Sequence, residues 1–460
     1  MSTIVVVDPA SLTPVGEVPD QDVAAARAAV DAAHQAFPAW SRTVPRRRSE
    51  ILHRAFELML RDRTPLSALI AQENGKSLAD AVSEVTYAAE FFRWFAEEAV
   101  RPGGEYGEAP AGGARTLVSH RPVGVAALIT PWNFPAAMIT RKIGPALAAG
   151  CTVVVKPAAE TPLTALAITR LLTEAGLPEN VVTVVTTTDA SAVVGAWLDD
   201  QRVRKISFTG STAVGRVLLR HAADRVVNSS MELGGNAPFI VTDDADLDAA
   251  VAGAMIAKFR NGGQACTAAN RFYVHAAVTE DFVARFGAAV EKLSVGAATD
   301  GADIGPLISA PALRRVTRAV DEAVAAGARI AHQAQAPSLP GHFYPPTVLA
   351  DVAPDAAILQ DEIFGPVAPI VSWTDEDTML AQVNATEYGL AAYVFSGDLA
   401  RAIRLGESIE AGMVGVNRGL VSDPSAPFGG VKQSGLGREG ARDGLREFQE
   451  THYLSVAWPS

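Results

Sequence analysis

Residues 123–157 read VGVAALITPWNFPAAMITRKIGPALAAGCTVVVKP. Two short apolar runs, VGVAALI and CTVVV, flank a stretch in which apolar residues recur three and four apart behind Pro135. That pattern predicts strand, helix, strand, with the proline at the first helical position. The alternation continues downstream: TPLTALAITRLLTEAG reads as a helix, and NVVTVVT and VRKISFTG as buried strands. Strand and helix in regular exchange imply a parallel, doubly wound sheet of the α/β class.

Upstream, residues 20–100 carry helical spacing in ILHRAFELMLRD and SEVTYAAEFFRWFAEEA, and Pro102–Gly104 through Gly112–Gly113 is a loop-rich break. A second alternation begins near Ala237: APFIVTDD as a strand, DADLDAAVAGAMIAKFRN as a helix with aspartate caps, RFYVHAAV as a strand, and a helix from Ala310 to Gly327. The last stretch, LREFQETHYLSVAW, alternates as a strand does and is expected to add to a sheet of another subunit.

Bulk properties narrow the function. The 460 residues are 48% hydrophobic and 20% charged, an ordinary globular composition. A net charge of -12 argues against nucleic acid or an anionic membrane as partner. Two cysteines cannot form a disulfide scaffold and fit a reducing compartment. No leader pattern opens the chain, and no apolar run reaches the ~18 residues of a membrane span. A cytoplasmic protein with no membrane or nucleic-acid partner is expected.

One literal dinucleotide fingerprint, Gly435-Leu-Gly437-Arg-Glu-Gly440, lies too near the C-terminus for a βαβ unit of ~30 residues and reads as a tight turn. ISFTGSTAVGRVLLRHAA serves better. A strand runs into Thr209-Gly210-Ser211 and a helix starts at once, offering free N–H groups to a pyrophosphate.

Cys266 sits in KFRNGGQACTAANR (258–271), among glycines and polar residues with little to bury, whereas Cys151 leads directly into a strand. No histidine stands near Cys266 in sequence, so a Cys–His pair has no support. Glu232 in MELGGNAP suits general-base work if buried, or a salt bridge at a strand end. Asn133 in PWNFP suits either an oxyanion contact or a helix cap.

Taken together, PWNFP (131–135), CTVVVKP…TP (151–162), FTGST…G (208–215), MELGGNAP (231–238), GQAC (263–266), EIFGP (362–366) and PFGG (427–430) resemble the aldehyde dehydrogenase superfamily over nearly the whole chain. The resemblance implies a coenzyme-binding domain (1–101 and 122–234), an α/β catalytic domain (235–434) and a small β arm for oligomerisation (102–121 and 435–460). It implies that Cys266 attacks the aldehyde carbon while Asn133 and the Cys266 N–H hold the oxyanion. The thiohemiacetal gives up hydride, and Glu232 activates water against the thioester. Lys142 and Glu439 fall where relatives have a proton path. Trp132, Lys156, Gly210, Ser211, Gly215, Glu232, Glu362 and Phe364 fall on the cofactor pattern. NAD or NADP is implied, with no metal. Ala159 stands where NAD-preferring relatives often carry glutamate, with Glu160 next, which leaves both dinucleotides open. A homodimer or homotetramer is implied as well.

Arg260 reads as a cation at a helix end. KFRN before GQAC also resembles succinate-semialdehyde dehydrogenases, in which this arginine, a second one matching Arg141, and a serine matching Ser422 hold the distal carboxylate. The expected reaction is oxidation of succinate semialdehyde. Glutarate semialdehyde or a broader aldehyde range is the alternative, and a non-catalytic relative the rival of another class. Ala268 occupies the place of a second cysteine in redox-switched relatives, so no such disulfide is expected.

Overall fold

Val125–Ile129, Thr152–Lys156 and Val203–Thr209 are strands buried along nearly their whole length, as unbroken apolar runs require. In the computed structural model, which describes residues 2–101 and 103–458, they form the middle of a six-stranded sheet. Met1, Pro102, Pro459 and Ser460, at the edges of the expected domain segments, lie outside the described residues. The sheet order is Gly435–Leu436, Asn228–Glu232, Val203–Thr209, Val125–Ile129, Thr152–Lys156, Val182–Val184. The last five strands are mutually parallel; Gly435–Leu436 runs antiparallel.

In chain order those five strands lie 3-2-1-4-5, so the winding reverses between Val125–Ile129 and Val203–Thr209. Ligands in open parallel sheets bind at such a reversal, beyond the carboxyl ends of the strands. The N-terminal helices Pro45–Arg61 and Leu78–Ala99 pack with Pro135–Ala149 over one face, around Phe91, Phe92 and Phe95. Val23–Ser41 and Ala190–Asp199 cover the other face, around Val30, Trp197 and Ile206.

A second sheet has seven strands in the order Arg329–Gln333, Thr347–Ala350, Val367–Trp373, Ala269–His275, Ala237–Val241, Ala391–Phe395, Met413–Val416, all parallel except the first. The turn Leu233–Asn236 joins the carboxyl end of Asn228–Glu232 in the first sheet to the amino end of Ala237–Val241 in the second. Residues 232 and 266 therefore both lie at the seam between the sheets.

Glu105–Glu108, Ala114–Pro122 and Gln449–Ala457 form a separate antiparallel three-stranded sheet. Gln449–Ala457 is the expected terminal strand, and it pairs along its whole length with Ala114–Pro122 of its own chain. The stretch 435–448 departs from the expected arm. Gly435–Leu436 extends the first sheet, and Ala441–Arg446 packs on Leu78–Ala99 and Pro135–Ala149. Among the described residues no helix is long and apolar enough to cross a membrane.

Candidate active site

The reversal point of the first sheet opens a 290 Å³ pocket lined by Trp132 and Asn133 from one strand exit and Thr209, Gly210 and Ser211 from the other. The far wall is Leu233, Gly234, Glu362, Phe364 and Cys266, with Arg315 at one side. Trp132 and Phe364 meet edge to face at 5.5 Å. Ser211 caps the twelve-residue helix Thr212–Ala223 by accepting the Val214 N–H. The Thr209 hydroxyl is buried with no hydrogen bond, and helix N–H groups stand beside it. This donor set fits a nicotinamide dinucleotide: helix N–H groups for the pyrophosphate, carboxylate and aromatic groups further in.

Gly215 stands on the first turn of the helix Thr212–Ala223, against Leu233 of the pocket wall. A Cβ there would stand 2.5 Å from Leu233, so this glycine lets the helix close on the Leu233 turn. Lys156 lies outside the pocket lining, at the carboxyl end of its strand, and donates to the Pro157 carbonyl. Burial lowers its pKa, opposed by the charge of Glu160.

Cys266 follows a one-turn helix, Arg260–Gly263, in which Asn261 and Gly262 have left-handed backbones. Gly263 (φ 74) lies flat against Gly365, where a Cβ would stand 2.3 Å from the Gly365 carbonyl oxygen. Gly235 packs in the same way on the carbonyl of Cys266. The Cys266 loop, the Glu232 turn and the loop that carries Glu362, Phe364 and Gly365 thus touch closely along their backbones. Among the described residues the Cys266 N–H has no backbone acceptor, while Asn133 Nδ2 spends one hydrogen on the Gln264 carbonyl at 3.2 Å. Both keep a donor free for an oxyanion.

Burial pushes the Cys266 thiol up to about 12, reinforced by the charges of Glu362 and Glu232 and opposed by Arg141 and Arg260. Burial also raises Glu232 well above the carboxylate range; Glu439 adds to this, and Lys142, Arg141 and Arg438 oppose it. One Glu232 oxygen, Oε2, is buried with no hydrogen bond. Glu439 accepts from Lys142 Nζ at 2.6 Å, and Lys142 also donates to Ser207 at 2.8 Å. Glu362 rises to about 7 because it is buried, even though it accepts the Gly235 N–H.

The two arginines stand apart. Arg141 is buried on the helix Pro135–Ala149, stacked 4.0 Å from the Phe428 ring, and donates to the Tyr87 hydroxyl at 2.6 Å. Arg260 follows the last residue of its helix, lies 5.2 Å from the Phe134 ring and lines a neighbouring 900 Å³ groove. Ser422 is half-buried, and its hydroxyl makes no hydrogen bond among the described residues.

Several contributors were missed from sequence. Lys76 and Glu84 form a buried ion pair at 2.5 Å; Lys76 donates to the Asn133 carbonyl at 2.8 Å, and Glu84 accepts the Ala136 N–H. Asn261 donates to the same Asn133 carbonyl and is itself held by Asp80. Arg315 brings a cation to the pocket wall near Glu362.

A thiol, a buried acid and an amide meet at a cleft between two mainly parallel sheets, an arrangement suited to enzymes that oxidise carbonyl compounds with a dinucleotide. The chain belongs to the aldehyde dehydrogenase family, whose model matches residues 1–454. A succinate-semialdehyde dehydrogenase of Paenarthrobacter nicotinovorans is 54% identical over 434 residues, 94% of this chain and 96% of the relative. A glutarate-semialdehyde dehydrogenase of Pseudomonas putida is 47% identical over 456 residues, 99% and 94% of the two chains. The crystal structure of succinate-semialdehyde dehydrogenase from Burkholderia pseudomallei superposes with a TM-score of 0.97 at 47% identity, covering 99% of this chain and 95% of that one. The chain is an NAD(P)-dependent aldehyde dehydrogenase.

Proposed function

We propose that this enzyme oxidises succinate semialdehyde to succinate. The observation that carries the reading is Arg141: a buried guanidinium with a single hydrogen bond, close enough to Cys266 to favour its thiolate. A guanidinium has five N–H donors, and its Nε here is buried without a partner. A substrate carboxylate takes up donors that Tyr87 and Glu439 leave open. Arg260 and Ser422 are assigned as further carboxylate contacts from the neighbouring side.

Cys266 attacks the aldehyde carbon as thiolate. Asn133 Nδ2 and the Cys266 N–H hold the oxyanion, with Asn133 fixed through its carbonyl by Lys76 and Asn261. The bound dinucleotide supplies the hydride acceptor. Trp132, Gly210, Ser211, Glu362 and Phe364 line its seat, and Lys156 is assigned to its ribose further out. Glu232 takes a proton from the water that cleaves the thioester, and Lys142 with Glu439 carries that proton onward. We assign residues 1–101 and 122–234 to coenzyme binding and 235–434 to catalysis. The three-stranded arm exposes Tyr106, Tyr453 and Leu454, which fits association into a homodimer or homotetramer.

The test is kcat/KM for succinate semialdehyde, glutarate semialdehyde and butanal, each with NAD and NADP. Two charge-assisted contacts of roughly 1.5–3 kcal/mol each predict an advantage of about 10²–10⁴ for the anionic aldehydes over butanal. Equal use of butanal makes this a general aldehyde dehydrogenase. A glutarate preference supports the second reading, which the Pseudomonas relative favours. Acceptance of NADP would follow from Ala159, which places no charge against a 2′-phosphate; rejection would assign that role to Glu160.

A further inference from the structure

We propose that Arg141 couples recognition of the substrate's carboxylate to hydrolysis of the acyl-enzyme, acting through Glu439 on the base Glu232. The inference rests on the reading of Arg141 as the carboxylate anchor and asks what else that anchor does.

Glu439 is shared. Its Oε1 accepts from Lys142 at 2.6 Å, while its Oε2, buried with no hydrogen bond, stands 3.5 Å from Arg141 Nη1. That distance is an ion pair without a hydrogen bond. Arg141 is therefore loosely tied to the acid and firmly tied only to the Tyr87 hydroxyl, with Phe428 beneath it and Phe91 at 5.1 Å. An arriving carboxylate competes for the same guanidinium, and its negative charge offsets the cation. The groups that face Glu232 are Arg141 and Lys142 from the helix Pro135–Ala149, Glu439 and Arg438 from the segment after Gly435–Leu436, and Cys266 across the seam. Removing one cation from that set leaves Glu439 less compensated and makes Glu232 the stronger base.

The affected step is hydrolysis. Water oxygen bonds to the acyl carbon, the C–S bond breaks, one proton passes from water to Glu232, and Cys266 leaves as thiolate with no change of oxidation state. An acyl group ending in a carboxylate strengthens the base that removes it.

Activated esters isolate this step, because they acylate the thiol with loss of p-nitrophenol and need no dinucleotide. p-Nitrophenyl butyrate leaves a neutral four-carbon acyl group; mono-p-nitrophenyl succinate leaves one of equal length ending in a carboxylate. Decay of each acyl-enzyme is timed across pH. In the wild-type enzyme the acid limb for the succinyl group is expected about one unit above that for butyryl, with a higher plateau. In Arg141→Gln the butyryl limb is expected to move up to the succinyl position, and the two acyl groups to coincide. Coincident limbs in the wild-type overturn the coupling without touching the carboxylate anchor, which is judged separately by succinate semialdehyde against butanal. A difference that persists in Arg141→Gln also overturns it, since the carboxylate would then act on Glu232 directly. Should that variant fail to fold, Glu439→Gln makes the same separation: the two limbs are expected to draw together when the intermediary carries no charge, and a difference that persists overturns the coupling.

Discussion

The two cysteines have nearly the same intrinsic chemistry and opposite surroundings. Cys151 is fully buried, donates to the Phe448 carbonyl at 3.3 Å and has its thiol pushed up to about 11 by burial. Cys266 is pushed up to about 12 for the same first reason. Thiol acidity therefore does not separate the proposed nucleophile from the core cysteine. Access and partners do: Cys266 opens on a pocket with an amide hydrogen, a free backbone N–H and a buried acid, while Cys151 touches only core. Burial first, and then the charges of Glu362 and Glu232, favour the protonated form of the Cys266 thiol, while Arg141 and Arg260 favour the thiolate.

The contrast can be broken in four places. Cys266→Ala is expected to lower turnover by about 10⁴-fold or more, measured as NAD(P)H formation, whereas Cys151→Ala keeps kcat within about twofold. Comparable losses in both would mean that burial alone ties each thiol to the reaction. Asn133→Ala should cost about 10²–10³ in kcat, the usual toll of one oxyanion donor; an effect confined to KM would remove the amide from that role. For the free enzyme, iodoacetamide labelling of Cys266 should rise about tenfold per pH unit from pH 7 to 9, because a thiol near 12 gains thiolate throughout that range. A plateau by pH 8, read by peptide mass spectrometry, would put the thiol far lower; Cys151 should stay unlabelled until the protein unfolds. The smallest effect is stability: Cys151→Ala should lower unfolding free energy by about 1 kcal/mol in urea, and no change would mean the site collapses on the missing sulfur.

How much of this was legible in the sequence follows from the range of the forces involved. The sheets were readable because buried strands and amphipathic helices write a local period into the chain, as in VGVAALI and the helix behind Pro135. Cys266 was readable because glycines next to a cysteine leave it nothing to bury. Lys76 and Glu84 were not, since each looks like a solvated helix residue until tertiary packing buries both and points them at Asn133. Arg315 hid for a similar reason, on a strongly amphipathic helix whose charges ordinarily face water. Gly435–Leu436 is two residues long, too short for any period, so its return to the first sheet was invisible. Arg260 was legible as a helix-end cation and from its motif, and Gly215 from its motif, but the packing of Gly215 on Leu233 and the place of Arg260 on the outer groove depend on tertiary structure.

The contact of Gly263 on Gly365 has a bearing on how such an enzyme can change over generations. A side chain at Gly263 would wedge the loop of Cys266 away from the loop of Glu362 and Phe364, and one at Gly365 would press on Val316. That half of the site is closed to gradual drift. Arg260 and Ser422, the proposed carboxylate contacts outside that seam, are side chains without such backbone constraints, so change in substrate choice enters more readily there than at the Gly263 contact.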